Sequence, residues 1–262
     1  MKLTVDGRTV FATTGGTDFD PAKPAVVFLH GAGFDRTAWR LQTRWFAHHG
    51  RSVLAVDFPA HGWSEGPPLA SIAAMADWTA RLVEAAGLKQ AALVGHSMGA
   101  LVALDCAARH PEKVRGLGLC GIGAEMPVHP EMLESARANT LKVQELMTFW
   151  GMGNALHKGG MVSPGLWLRR ESLAVLAANK PDVIHTDLAA CNAYKDAPAR
   201  AASVECPTVL VLGDGDLMTP APKAKPLAAA ITGSTTVVIP NCGHFMMVER
   251  PDETLEALKS CV

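Results

Sequence analysis

A single tyrosine occurs among the 262 residues, and aromatic residues of all kinds make up only 6% of the chain. No stretch approaches the roughly 18 continuous apolar residues of a membrane span. The first residues, Met1-Lys2-Leu3-Thr4-Val5-Asp6-Gly7, lack the apolar core of a secretory leader. No block of like charges forms an arm or tail, and a net charge of −1 leaves no long-range field to gather nucleic acid or an anionic membrane. The six cysteines (Cys106, Cys120, Cys191, Cys206, Cys242 and Cys261) contain no CxxC pair and no metal-like spacing with histidine. That is the usage expected of reduced thiols in a cytoplasmic protein. These absences leave a globular protein with neither a membrane nor a nucleic-acid partner and with no bound metal. They choose no activity, and they say nothing of oligomeric state.

What is present is a hydrophobic share of 48%, ample for one α/β domain or one domain carrying an insertion. Lys2–Thr13 alternates around Asp6-Gly7, the signature of a β-hairpin. Ala25–Leu29 is a continuous apolar run of the kind that forms a strand buried on both faces, and Ser52–Val56, Ala91–Val94, Val114–Cys120, Cys206–Leu212 and Thr235–Ile239 are further strand candidates. Helical periodicity fills Ser71–Ala86, Ala100–Ala108, Ala221–Ile231 and Thr254–Lys259 between or after them. The alternation predicts an α/β fold, a mostly parallel central sheet with helices on both faces.

Glu125–Pro198 breaks this rhythm, offering no buried strand but three helical stretches, Glu131–Phe149, Leu166–Ala178 and Val183–Tyr194. The expected organisation is therefore an α/β core of residues 1–124 and 199–262, with a helical cap of residues 125–198 inserted above the sheet. Met126, Met132, Met147, Met152 and Met161 give that insertion a soft, adaptable apolar surface, together with Phe149, Trp150 and Trp167.

Gly95-His96-Ser97-Met98-Gly99 stands between an apolar strand and an Ala-rich helix. A Gly-x-Ser-x-Gly sequence in that setting is a nucleophile elbow: the turn is sharp, its serine is strained, and the flanking glycines let strand and helix approach closely. A serine hydroxyl needs a base to become nucleophilic. In this kind of site the chain order is serine, acid, histidine, so His110, His129, His157, His185 and His244 are the histidines in range. His110 precedes Pro111 at a helix end, and His129, His157 and His185 fall in the insertion. His244 follows the last strand, where an α/β sheet gathers its active site, and is the expected base. Its orienting carboxylate is to be found in Gly213-Asp214-Gly215-Asp216, where both aspartates compete. The developing oxyanion needs preorganised N–H donors, expected from the backbone of Met98 and from Ala32 in the His30-Gly31-Ala32-Gly33 loop. Phe34, Met98, Leu217, Met218 and Phe245 lie beside these positions and are candidates for an apolar substrate wall, with Trp150 and Trp167 descending from the cap.

Four motifs in this order resemble the α/β-hydrolase family, in its small, cap-bearing serine esterase and lactonase branch. His30-Gly31-Ala32-Gly33 is similar to its oxyanion loop. Asp57-Phe58-Pro59-Ala60-His61-Gly62-Trp63-Ser64 is similar to its Asp-x-Pro-Gly-His-Gly-x-Ser loop, with Ala60 where glycine is usual. Pro207–Asp216 resembles the strand whose Gly-x-x-Asp supplies the acid, which favours Asp216 over Asp214. Asn241–His244 with Glu249-Arg250-Pro251 resembles the Gly-His and Glu-x-Pro elements. The resemblance implies hydrolysis of a carboxylic ester or lactone, a small-molecule substrate, by Ser97, Asp216 and His244 with no cofactor. Branches that use an aspartate nucleophile do not match Ser97, and epoxide hydrolases need cap tyrosines where Tyr194 stands alone. Carbon–carbon bond hydrolases, which share the triad, usually carry Trp where this chain has Phe245; they remain the alternative, followed by a non-catalytic ligand-binding member of the fold.

Overall fold

The computed structural model describes residues 1–153 and 167–262; His157, Met161 and Leu166 lie outside them. Strands β1 (Lys2–Val5) and β2 (Arg8–Thr13) pair through a two-residue turn in which Asp6 and Gly7 both take positive φ, 51° and 74°. That is the turn whose twist matches a hairpin. The remaining strands are β3 (Ala25–Leu29), β4 (Ser52–Val56), β5 (Ala91–His96), β6 (Val114–Cys120), β7 (Thr208–Gly213) and β8 (Thr235–Ile239). They join the hairpin in one sheet of order β1-β2-β4-β3-β5-β6-β7-β8, parallel from β4 onward. Every residue of β3, β4, β5 and β7 is buried, as apolar runs covered on both faces require. From β3 the chain moves outward to β4 on one side and then returns to β5 on the other. The carboxyl ends of β3 and β5 therefore flank the switch point, where an α/β sheet opens a crevice.

The helices are α1 (Arg40–His48), α2 (Ile72–Ala85), α3 (Met98–Arg109), α4 (Pro130–Arg137), α5 (Leu141–Gly151), α6 (Leu168–Ala177), α7 (Val183–Ala193), α8 (Ala197–Ala201), α9 (Lys225–Ala230), α10 (Met246–Glu249) and α11 (Pro251–Leu258). Several differ from expectation. The single helix predicted over Glu131–Phe149 is two, because Asn139 turns to φ 50° and its Oδ1 accepts the Asp182 N–H at 3.0 Å. That bond comes from a distant part of the chain, which local periodicity does not register. Helix α1 is not among the expected helices, because its covered face is half polar, with Phe46 and Ala47 beside Gln42 and Thr43. Gln42 Nε2 donates to the Met247 carbonyl at 2.8 Å.

The lone tyrosine ties the helical stretch to the sheet-bound helices. The Tyr194 hydroxyl donates to Asp105 Oδ1 at 2.7 Å, and Asp105, fully buried on α3, also lies 3.0 Å from Arg200 and 3.2 Å from Arg109. Tyr194→Phe leaves that carboxylate short of a donor and is expected to destabilise the fold by about 1–3 kcal/mol. The midpoint of urea unfolding reads it directly; an unchanged midpoint would show the bond to be dispensable.

All six cysteines are free. Five are buried, and burial raises their thiol pKa values, those of Cys106 and Cys261 to about 12. Cys206 alone is only partly covered. Among the described residues no helix is long and apolar enough to cross a membrane.

Candidate active site

The elbow is as tight as its sequence requires. Ser97 joins β5 to α3 with φ 54° and ψ −116°, a conformation that stores about 1–3 kcal/mol of strain. A Cβ on Gly95 would lie 2.0 Å from the Gly99 carbonyl oxygen, and one on Gly99 would lie 2.4 Å from that of Leu29. Only hydrogen at both positions lets β5, α3 and β3 meet. The Ser97 N–H is spent on the Cys120 carbonyl at 2.8 Å, which pins the turn to β6.

At the end of β7, Asp216 is buried and fully engaged. Its Oδ1 accepts the N–H groups of Met218 and Thr219, both at 2.8 Å. Its Oδ2 accepts from Thr219 Oγ1 and faces His244 Nδ1, each at 2.7 Å. Burial pushes the Asp216 carboxyl up, but the facing imidazole and the bonds from His244 and Thr219 outweigh it and hold the pKa at about 2. Asp214, the competing aspartate, is exposed and accepts the Cys242 N–H at 3.1 Å. His244 Nε2 is buried and has no hydrogen-bond partner among the described residues.

Two further side chains fix this histidine. His96, the residue before Ser97, has its ring 4.7 Å from that of His244 and its Nε2 2.9 Å from the His244 carbonyl, to which it donates. Burial, followed by the neighbouring His244, lowers the His96 pKa well below the ordinary range, so its ring stays neutral. Glu249 accepts the N–H groups of Gly243 at 2.9 Å, Gly153 at 3.0 Å and Phe245 at 3.1 Å, holding the loop on both sides of His244. Neither role, nor that of Thr219, is visible as a pattern in the sequence. The Glu-x-Pro element was the nearest signal, for Glu249.

The loop after β3 lies directly against the elbow, since a Cβ on Gly31 would be 2.7 Å from His96 Nδ1 and 3.3 Å from Ser97 Cβ. His30 accepts the Phe58 N–H at Nε2, at 3.1 Å, and so donates from Nδ1 to the Gly31 carbonyl at 2.9 Å. Burial, then the nearby His61, lowers its pKa to about 3 and keeps that tautomer neutral. The N–H groups of Ala32 and Met98 enter no hydrogen bond among the described residues. Next to this loop Asp57 binds the Arg36 N–H at 2.8 Å, its guanidinium at 2.5 Å and the Trp63 N–H at 3.0 Å. Ala60, standing where glycine is usual, takes φ 72°.

Ser97 and His244 open onto a cavity of about 410 Å³, within the range of small-molecule sites. Phe34, Leu217, Met218 and Phe245 line it from the core, and Met126, Met132, Met147, Trp150 and Leu188 from the helical stretch. Leu217 stands at the rim, 64% exposed. His129 joins the lining, its ring 5.4 Å from that of Trp150. Two expectations fail. Trp167 is 63% exposed and outside the cavity, with the Arg170 guanidinium 5.8 Å from its ring; it sits just ahead of α6 and faces outward. The Met98 side chain, at the first position of α3, is wholly buried and forms no wall. His110 pairs with Asp77 at 2.8 Å and His185 with Arg137 at 3.4 Å, both away from the cavity. Among the described residues, no Asp, Glu, Lys or Arg lines it.

The sheet with its elbow at the switch point defines the class: the chain belongs to the alpha/beta hydrolase family, whose model it matches over residues 26–257. It is 31% identical to the "Putative carbamate hydrolase RutD" of Klebsiella pneumoniae over 241 residues, 88% of each chain. It is 29% identical to the "Pimeloyl-[acyl-carrier protein] methyl ester esterase" of Chromobacterium violaceum, over 90% of this chain and 92% of that one. In fold it is similar to the enol-lactonase from Burkholderia xenovorans LB400, with a TM-score of 0.88, 21% identity, and coverage of 99% of this chain and 98% of that one.

Proposed function

We propose that the protein is a serine hydrolase that cleaves an uncharged carboxylic ester or lactone through an acyl-enzyme on Ser97. The observation that carries this reading is the state of His244. Its Nδ1 is held by Asp216, its buried Nε2 has no partner among the described residues, and its ring lines the cavity that Ser97 lines. An imidazole held this way takes the serine proton while Oγ attacks the carbonyl carbon. The carbonyl oxygen gathers negative charge, which the Ala32 and Met98 N–H groups receive; neither has another acceptor among the described residues. Collapse expels the alcohol, protonated by His244, and leaves the acyl group on Ser97. Water, giving its proton to His244, then attacks the ester so formed, and the acid departs as Oγ regains its proton.

In this reading residues 125–198 act as the cap over a core of residues 1–124 and 199–262, and the six reduced thiols suit a cytoplasmic setting. The cap supplies much of the apolar lining, so it governs which acyl or alcohol group enters. No Lys or Arg among the described residues lines the cavity, so a substrate carboxylate would be stripped of water there without a matching cation, which costs several kcal/mol. Accordingly, kcat/KM for p-nitrophenyl butyrate is expected to exceed that for mono-p-nitrophenyl succinate by about 10²-fold or more. A γ-lactone and a vinylogous diketone complete the panel. Preference for the succinate would overturn the neutral-substrate reading, and turnover of the diketone alone would move the chemistry to carbon–carbon cleavage.

A further inference from the structure

Asp187 is a carboxylate in the middle of α7, a helix rich in alanine and aliphatic residues, and it has no exposure to solvent. It does not touch the cavity. Its Oδ2 instead accepts the Gly33 N–H at 2.8 Å and meets His61 Nε2 at 2.8 Å, while its Oδ1 has no hydrogen-bond partner among the described residues. The other nitrogen of His61, Nδ1, lies 3.0 Å from the Pro59 carbonyl. Both ring nitrogens thus face acceptors, an arrangement only the doubly protonated imidazolium satisfies fully. A second side chain reaches the same glycine. Asn179, just after α6, donates from Nδ2 to the Gly33 carbonyl at 2.6 Å. Gly33 itself has φ 69°, and a Cβ there would lie 2.9 Å from Leu176 and 3.0 Å from Ile184.

These bonds fall on successive peptide planes. The first plane joins the Gly31 carbonyl to the Ala32 N–H, and His30 holds its oxygen from the core. The second joins the Ala32 carbonyl to the Gly33 N–H, held by Asp187. The third joins the Gly33 carbonyl to the Phe34 N–H, held by Asn179, and its N–H closes the turn onto the Gly31 carbonyl at 3.1 Å. The tilt of the first plane aims the Ala32 N–H, and the two planes after it are fixed by residues of the helical stretch.

We infer that Asp187 and Asn179 are positioning residues: they clamp Gly33 from α6 and α7 and so set the Ala32 N–H for the developing oxyanion. The inference rests on the proposed roles of Ser97 and Ala32. Docking of the cap and completion of the oxyanion site are then one event. A donor displaced by a fraction of an ångström weakens binding of the transition state while leaving the ground-state ester nearly untouched.

The test compares the whole enzyme with its Asp187→Ala, Asp187→Asn and Asn179→Ala variants. Active sites are counted by a fluorophosphonate, turnover is measured on p-nitrophenyl butyrate, and inhibition by an alkyl trifluoromethyl ketone is measured alongside. The ketone reports the oxyanion directly: Ser97 Oγ adds to its carbonyl carbon, the proton passes to His244, and the resulting alkoxide takes the place of the oxyanion. Asp187→Ala is expected to lower kcat per active site by about 10²-fold, within the cost of losing one oxyanion donor, and to weaken the ketone in parallel, with KM changed less than about threefold. In Asp187→Asn the amide oxygen can take the place of Oδ2 on Gly33, so activity within about tenfold of wild type is expected. Asn179→Ala, at a partly exposed position and free of any folding burden on Asp187, is expected to lose about tenfold in both readouts. Unchanged kcat and ketone affinity in Asn179→Ala and in folded Asp187→Ala overturn the inference alone. A loss of kcat with unaltered ketone affinity, or a loss confined to the number of active sites, also overturns it. A wild type that the ketone does not inhibit overturns the nucleophile reading first and the clamp with it.

Discussion

Ser97→Ala is expected to lower kcat on a neutral p-nitrophenyl ester by about 10⁶-fold, as removal of an activated serine does when base and oxyanion donors remain. The methyl group occupies the same turn, so the strained elbow and the cavity persist, and the circular dichroism spectrum should not change. What disappears is the atom that forms the acyl-enzyme. Intact-protein mass spectrometry distinguishes this from a mere loss of rate, because wild type gains the mass of one fluorophosphonate adduct and the variant gains none. A variant that kept near-wild-type turnover would show that His244 activates water for direct attack and that Ser97 is not the nucleophile.

Asp216→Asn is expected to cost about 10⁴-fold in kcat at neutral pH, the loss that follows when a histidine base is held in the wrong tautomer. The local bonds dictate which way the amide turns. Oδ1 accepts two backbone N–H groups, from Met218 and Thr219, so the amide oxygen must stand there. The NH₂ then replaces Oδ2 and points at His244 Nδ1, which must accept. The imidazole proton is driven to Nε2, where the serine proton should go. The same carboxylate links stability to pH. Its folded pKa of about 2 lies below its ordinary 3.8, so its stabilising contribution is present above about pH 4 and fades as pH falls through about 2. The shift corresponds to about 2 kcal/mol. In Asp216→Asn that part of the acid sensitivity should be missing, read as a smaller loss of Tm between pH 5 and pH 2 than in wild type. Equal losses would mean that other carboxylates dominate acid unfolding.

The candidate site was legible in the sequence because its proposed residues lie in short, local patterns. The elbow glycines, the loop after β3 and the histidine after β8 are each set by a turn that one or two residue types can make. Choosing Asp216 over Asp214 needed a family resemblance, since Asp-Gly-Asp reads equally well as two solvated turn residues. The strands were legible for a different reason: burial on both faces leaves a continuous apolar run, and Ala25–Leu29, Ser52–Val56 and Val114–Cys120 occur as read, as does Thr235–Ile239, a largely exposed strand at the sheet edge. Other features escaped the sequence because distant residues decide them. Asn139 breaks a helix where Asp182 comes to meet it, and Trp167 stands 63% exposed just ahead of α6. Asp187 offered a hint, a lone acid within an apolar helix, but its partners His61 and Gly33 lie 126 and 154 residues away.

The burial of five thiols also ranks the cysteines as targets for electrophiles. A thiol with its pKa pushed to about 12, as in Cys106 and Cys261, presents almost no thiolate at neutral pH. Cys206 is only partly covered, though burial raises its thiol pKa as well, and it precedes β7 at the amino edge of the sheet, whereas the cavity opens at the carboxyl edge. A maleimide linker therefore reaches Cys206 first. The native chain already carries a single-point tether that would seat it on a bead or sensor surface with the cavity turned toward solution.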